Sequence, residues 1–110
     1  MPVEQVITLS DGRRVSIRAA SFLARVAAQF MRAKQVAMVL GSTIHLHGVS
    51  VAGFLSNKQW VRHELCHIDQ YRRYGMLRFL LLYLIESVRR GYEQNRFEVE
   101  ARAAEEQADF

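Results

Sequence analysis

Apolar and polar residues alternate in two short segments near the start of the chain, residues 6–10 and 14–18. Alternation with a period of two is typical of strands that bury one face. The two segments flank Asp11 and Gly12, and an Asp-Gly pair between alternating segments indicates a tight hairpin turn. The sequence therefore predicts an antiparallel hairpin.

A second pair of strands is predicted over residues 35–40 and 43–47, on either side of a Gly-Ser pair. The apolar residues of the second strand share one face, and His45 and His47 lie on the other face. We expect these two histidines to be plain surface residues. A contact with a substrate or with an oxyanion is the alternative role.

Apolar residues recur at helical spacing in residues 21–34 and again in residues 57–74. At the start of the second segment, Ser56 and Gln59 form the pattern of a capping box. Gly75 is suited to end the same segment in a left-handed conformation. Two helices are therefore predicted.

Residues 79–85 are an uninterrupted apolar run inside a third predicted helix, residues 76–90. The run is far too short to cross a bilayer, which takes about 20 residues. We expect a buried connecting helix that packs on the core. Because arginines flank the run, contact with a membrane surface or with a second copy of the chain is the alternative.

The chain has 110 residues, half of them apolar, which predicts one domain over residues 1–110 with a modest core. Its net charge of +4 would attract polyanions, but no nucleic-acid motif accompanies that charge, so no nucleic-acid partner is expected. The single cysteine, Cys66, excludes an internal disulfide and is expected to be a packed thiol. The first ten residues lack the pattern of a secretory signal, so we expect a cytoplasmic location, with peripheral membrane association as an alternative.

The strongest chemical signal is the sequence His-Glu-Leu-Cys-His within the helix predicted over residues 57–74. On a helix, His63 and His67 lie on one face and can reach a single metal ion, with Glu64 beside them. A zinc ion lowers the pKa of a bound water toward about 7, and a neighbouring carboxylate can accept the proton of that water. The predicted chemistry is amide hydrolysis.

A catalytic zinc usually takes three protein ligands, so a third ligand must lie elsewhere in the chain. A metzincin would need glycine and histidine where this chain has Gln70 and Arg73, so that class is excluded. If the segment after residue 92 is helical, Glu98 points inward and Asn95, one turn away, can orient a ligand. Glu98 is the expected third ligand; an exposed carboxylate on a charged helix is the alternative, as it is for Glu93 and Glu100.

The pattern His63-Glu64-x-x-His67, followed by Asn95-x-x-Glu98-x-x-Ala101, resembles the gluzincin metallopeptidases. The length of the chain is similar to that of the minigluzincins, which are single-domain members of that group. The resemblance covers about residues 56–102. It implies that the two histidines and Glu98 bind Zn²⁺ and that Glu64 is the general base.

The resemblance also implies an α+β fold in which a small antiparallel sheet lies beside several helices. These are a backing helix (residues 21–34), a zinc-ligand helix (57–74), a connecting apolar helix (76–90) and a glutamate helix (about 92–106). The second hairpin is then expected at the rim of the site, where its edge strand binds extended substrate. The resemblance further implies a latent form, in which residues 103–110 act as an inhibitory tail.

The function predicted is that of a zinc-dependent peptidase acting on peptide or protein substrates. A further donor must steady the tetrahedral oxyanion, and Tyr92 is the first candidate, ahead of Tyr83, Tyr74 and His47. The alternative is a non-catalytic, zinc-stabilised binding module that engages a membrane surface or a protein partner. In that module a fourth protein ligand, such as Cys66 or a carboxylate of the tail, would close the metal site.

Overall fold

The structure, a computed structural model, describes residues 3–107 and has an α+β fold, as predicted. In the first half of the chain each pair of strands is followed by a helix, and the second half is helical. The elements are β1 (Val3–Thr8), β2 (Arg14–Ala19), α1 (Phe22–Met31), β3 (Val36–Leu40), β4 (Thr43–His47), α2 (Val51–Ser56), α3 (Lys58–Tyr74), α4 (Met76–Arg90) and α5 (Arg96–Ala104).

The four strands form one sheet in the order β1-β2-β4-β3. Both predicted hairpins are confirmed, because β1 pairs antiparallel with β2 and β3 pairs antiparallel with β4. The expectation of a wholly antiparallel sheet is wrong, since β2 and β4 run parallel. The tight turn at Gly41 reverses the chain between β3 and β4, and because β4 also pairs with β2, β4 lies inside the sheet and β3 at its edge.

Helices cover both faces of the sheet. On one face, a core of Ile17, Ile44 and Leu46 packs against Val61 and Leu65 of α3. On the other face, α1 packs on β3 and β4. The predicted backing helix is therefore present, and it lies on the face of the sheet opposite α3.

This second helical layer explains why the expected surface position of His45 is wrong. His45 lies under α1 and is buried, and its Nδ1 lies 2.8 Å from the hydroxyl oxygen of Ser21. Ser21 also caps α1, since its hydroxyl accepts a hydrogen bond from the backbone N–H of Ala24. Burial lowers the pKa of His45, with a further lowering by the charge of Arg18.

Helix α3 spans nearly the predicted range, but the expected capping box is wrong. Asn57 is the N-cap, and its side-chain oxygen accepts a hydrogen bond from the backbone N–H of Trp60 at 3.2 Å. Ser56 instead ends the short helix α2, which was not predicted, and its hydroxyl donates to the carbonyl of Gly53. Gly75 ends α3 with a φ of +83°, as expected for a residue without a Cβ atom.

Helix α4 has the predicted bounds but is not the buried connecting helix that was expected. Phe79 packs with Tyr71 and Phe97 in a small aromatic cluster, whereas the opposite side of α4 carries exposed leucines. Among the helices of residues 3–107, none is both long and apolar enough to cross a membrane.

Helix α5 begins at Arg96, four residues later than predicted, because residues 92–94 form a turn. Asn95 is its N-cap, with the side-chain oxygen accepting from the backbone N–H of Phe97. The amide nitrogen of Asn95 donates to the carbonyl of Tyr83 and to the hydroxyl of Ser87. Asn95 therefore fixes α5 on α4. The expectation that its amide orients a metal ligand is wrong.

Candidate metal centre

The predicted ligands His63, His67 and Glu98 come together between α3 and α5. Helix α3 turns its apolar side toward the sheet, which leaves both histidines facing α5. The Nε2 atoms of His63 and His67 lie 3.0 and 3.1 Å from the same carboxylate oxygen of Glu98. One donor atom from each residue lies within 4.8 Å of the others, so the group could hold a metal ion.

The other nitrogen of each imidazole is held by a hydrogen-bond acceptor. The Nδ1 of His67 lies 2.8 Å from the side-chain oxygen of Gln70. The amide nitrogen of Gln70 donates to the carbonyl of Phe97 and to the carboxylate of Glu100, which fixes the amide orientation. The Nδ1 of His63 lies 2.8 Å from the carboxylate of Glu105. Both Nδ1 atoms are therefore N–H donors.

These hydrogen bonds determine what occupies the space between the three ligands. In a neutral imidazole with the proton on Nδ1, the lone pair of Nε2 points outward, here toward the Glu98 oxygen. Two lone pairs facing one carboxylate oxygen require a proton or a cation between them. A tetrahedral zinc ion separates its ligand atoms by about 3.3 Å, which is close to the 3.0 and 3.1 Å between each Nε2 and the Glu98 oxygen. The donor set could therefore hold a metal ion.

Without a metal ion, protons hold the same cluster together. Burial lowers the pKa of His63, but its hydrogen bonds with Glu98 and Glu105 outweigh burial and raise that pKa to about 9. Burial raises the pKa of Glu98, but the two imidazoles hold it well below its usual range. Metal binding at this site must therefore displace protons.

Tyr83 of α4 anchors the third ligand. Its hydroxyl donates a short hydrogen bond to the second carboxylate oxygen of Glu98, the one that does not face the histidines. Burial and the Glu98 carboxylate raise the pKa of Tyr83, so the phenol keeps its proton. The sequence predicts Tyr83 only as a donor to the oxyanion, after Tyr92, and does not predict its contact with Glu98.

Glu64 lies beside the ligands at a cleft of about 720 Å³. It is 5% exposed, and burial raises its pKa to about 7, against the opposing effect of His67 and His63. Residues 35–39, at the edge of the sheet, form one wall of the cleft. Tyr92 lines the cleft too and is 54% exposed.

Cys66 is not a member of the ligand group. Its sulfur lies 3.8 Å from a carboxylate oxygen of Glu100, on a different side of α3 from the cleft. Burial and Glu100 raise the pKa of Cys66 to about 12, so the side chain stays a thiol. Of the two other candidate carboxylates, Glu100 accepts from Gln70, and both Glu93 and Glu100 lie outside the ligand group.

Within the described part of the C-terminal segment, Glu105 contacts the ligand cluster. Glu105 follows α5, and its backbone carbonyl accepts a hydrogen bond from Arg62 at 2.6 Å. Its carboxylate binds the Nδ1 of His63, which is the nitrogen directed away from Glu98. Glu105 therefore supports a ligand instead of taking a ligand position. Of the expected inhibitory tail, residues 103–110, the structure describes residues 103–107, the first two of which end α5, whereas residues 108–110 lie outside the described residues.

Comparisons with protein-family models, with curated proteins and with solved structures give no match to this chain.

Proposed function

We propose that the chain is a zinc-dependent peptidase whose ion is held by His63, His67 and Glu98. The observation that carries the proposal is the position of the two Nε2 atoms, which lie 3.0 and 3.1 Å from one carboxylate oxygen of Glu98. Imidazole nitrogen and carboxylate oxygen are common zinc ligands, and three such ligands leave one coordination position for water or substrate. The resemblance of the motif to the gluzincins supports the same assignment.

The catalytic roles follow from the positions of the side chains at the cleft. A bound Zn²⁺ would polarise a carbonyl group and lower the pKa of a water molecule. Glu64, next to the ligands and lining the cleft, accepts a proton from the attacking water and later delivers it to the leaving amine. Tyr92 lies at the cleft, and burial raises the pKa of its phenol to about 12, so the hydroxyl keeps its proton. Tyr92 is the proposed donor to the oxyanion.

The proposed substrate is an extended peptide that lies along β3. This strand is at the edge of the sheet, so its outward backbone groups are available to pair with a substrate strand. The cleft beside it is mostly apolar, with Val36, Met38 and Leu80 among its lining residues. We therefore expect cleavage next to apolar side chains.

The test of the proposed function is Glu64→Gln in zinc-loaded protein. We expect the variant to bind one zinc ion with unchanged affinity and to lose at least about a thousandfold in peptide cleavage, because general-base and nucleophile activation are both lost. Glu93→Gln, at an exposed position of the turn before α5, is the matched control and should cleave at the parent rate. Equal rates for Glu64→Gln and the parent would remove Glu64 as the base.

The same experiment separates the peptidase from the non-catalytic binding module. A zinc-stabilised module predicts bound zinc with no metal-dependent cleavage in the parent protein. Such a module would need a fourth protein ligand, and among residues 3–107 the ligand group contains three. Zinc-dependent cleavage that a chelator abolishes supports the peptidase.

Latency through the C-terminal segment is a further part of the proposed function. Truncation after Gln107 removes residues 108–110 and retains Glu105, so the support of His63 is kept. We expect the truncated protein to cleave peptides faster than the full chain. An unchanged or lower rate in a folded truncated protein would refute inhibition by these three residues.

A further inference from the structure

Helix α1 has its large apolar side chains on the solvent side and its small ones on the protein side. Ala24 and Ala28 are buried against the sheet, whereas Phe22 and Phe30 are 74% and 92% exposed. Leu23, Val26 and Met31 are exposed as well. A helix that only covers a core shows the reverse arrangement, with its large apolar residues inside. Packing among residues 3–107 therefore does not explain why the outer face of α1 carries large apolar side chains.

Helix α4 has a second exposed apolar face. Leu77, Leu81, Leu84 and Val88 recur at intervals of four, three and four residues, so they form one stripe along the helix. Leu77 is 81% exposed and Val88 is 87% exposed. The opposite side of the helix, with Phe79, is buried. Exposed apolar stripes of this kind mark interaction surfaces.

The two faces border the same cleft. Ala27 and Met31 of α1 and Leu80 and Leu84 of α4 all line the cleft at the candidate metal centre. We call the outer faces of the two helices the two-helix apolar surface, and it comprises Phe22, Leu23, Val26, Phe30 and Met31 with Leu77, Leu81, Leu84 and Val88.

The charges around this surface favour one kind of partner. Arg25 lies on α1, and Arg78 and Arg89 flank the stripe of α4. Helix α1 has no acidic residue, and the single acidic residue of α4, Glu86, is buried. In a symmetric dimer these arginines would approach those of the other copy, which is unfavourable. An anionic lipid surface instead pairs with the arginines and takes up the apolar side chains.

We propose that the two-helix apolar surface docks on an anionic lipid bilayer. The exposed leucines and phenylalanines enter the boundary between headgroups and acyl chains, and the flanking arginines contact lipid phosphates. Docking places the cleft next to the membrane surface. It requires neither a bound metal nor peptide cleavage, so its failure and the failure of the proposed function are distinguishable.

The test is co-sedimentation of the full chain with lipid vesicles. We expect strong binding to phosphatidylcholine vesicles that contain phosphatidylglycerol, much weaker binding to pure phosphatidylcholine, and a decrease with added salt. Phe30→Ser and Leu77→Ser should each lower the partition coefficient about tenfold, because each removes one apolar side chain from the bilayer. Arg78→Gln should lower it about fivefold on the anionic vesicles alone.

The matched control is Val6→Ser, which removes an apolar side chain that is 56% exposed on β1, at the opposite edge of the sheet from the cleft. This control should bind vesicles like the parent.

Equal binding of the parent and the Phe30 and Leu77 variants would overturn the proposal, as would equal binding to neutral and anionic vesicles. A lower partition coefficient for Leu77→Ser with no change for Phe30→Ser would show that α1 does not contact the bilayer, which would overturn the proposal that both helices dock. A dimer in sedimentation velocity that these variants dissociate, without vesicle binding, would identify a second copy as the partner.

Discussion

Replacing Glu105 by alanine tests whether the residue after α5 supports the metal ligand His63. The Glu105 carboxylate accepts the Nδ1 proton of His63 at 2.8 Å and thereby fixes the tautomer and the ring orientation. Loss of a carboxylate in this position typically lowers metal affinity tenfold to a hundredfold. Because the Glu105 side chain is 30% exposed, water can replace part of its effect, and we expect a loss of about tenfold, or about 1.4 kcal/mol.

The assay is competition for zinc with a chromophoric chelator, with circular dichroism to verify that each variant is folded. Glu105→Gln keeps an acceptor oxygen without the charge and should fall between the parent and the alanine variant. Glu106→Ala changes an exposed neighbouring side chain and should retain the parent affinity. If Glu105→Ala and Glu106→Ala bind zinc equally well, the proposed support of His63 is wrong.

Three further predictions concern other parts of the structure. Tyr83→Phe removes the donor to Glu98, so zinc affinity should fall about tenfold in the same competition assay, and an unchanged affinity would show that the ligand needs no anchor. Burial lowers the pKa of His45 below its usual 6.5, so its contribution to stability is complete above pH 6.5 and is lost as pH falls below that value. His45→Asn should therefore flatten the urea midpoint plotted against pH, and parallel curves for variant and parent would contradict this reasoning. Asn95→Ala removes the cap of α5 and two bonds to α4, so the free energy of unfolding in urea should fall by about 1–3 kcal/mol, and a loss below about 0.5 kcal/mol would contradict the capping role.

The central part of the candidate site was predictable from the sequence because its spacing is local. His63 and His67 share one helical face whatever the tertiary structure, and the apolar residues of α3 indicated which side faces the core. Glu98 was predictable from helical position and resemblance, and the structure places it at the two imidazoles.

The residues that support the ligands were not predictable in the same way. Glu105 and Tyr83 reach the site from α5 and α4, and the hydrogen bonds that they form depend on how those helices pack on α3. No spacing rule in the sequence specifies that packing. Asn95 was expected inside a helix that begins at residue 92, but α5 begins at Arg96, which makes Asn95 its N-cap.

The errors in the fold also concern long-range packing. Alternation predicted both hairpins. It does not show which strand of one hairpin pairs with which strand of the other, so the parallel pairing of β2 with β4 was missed. His45 was expected on an exposed face because alternation does not show that a second helix covers that face. An apolar run such as residues 79–85 does not indicate which of its sides is buried, so an outward apolar side of α4 was only the alternative to a buried helix.

Anomalous diffraction at the zinc edge, from crystals of zinc-loaded protein, tests the central claim most directly. We predict one peak at about 2.0–2.2 Å from the Nε2 atoms of His63 and His67 and from a carboxylate oxygen of Glu98, with one further position held by water. The absence of a peak there, or an ion bound by other side chains, would contradict the assignment of the metal centre.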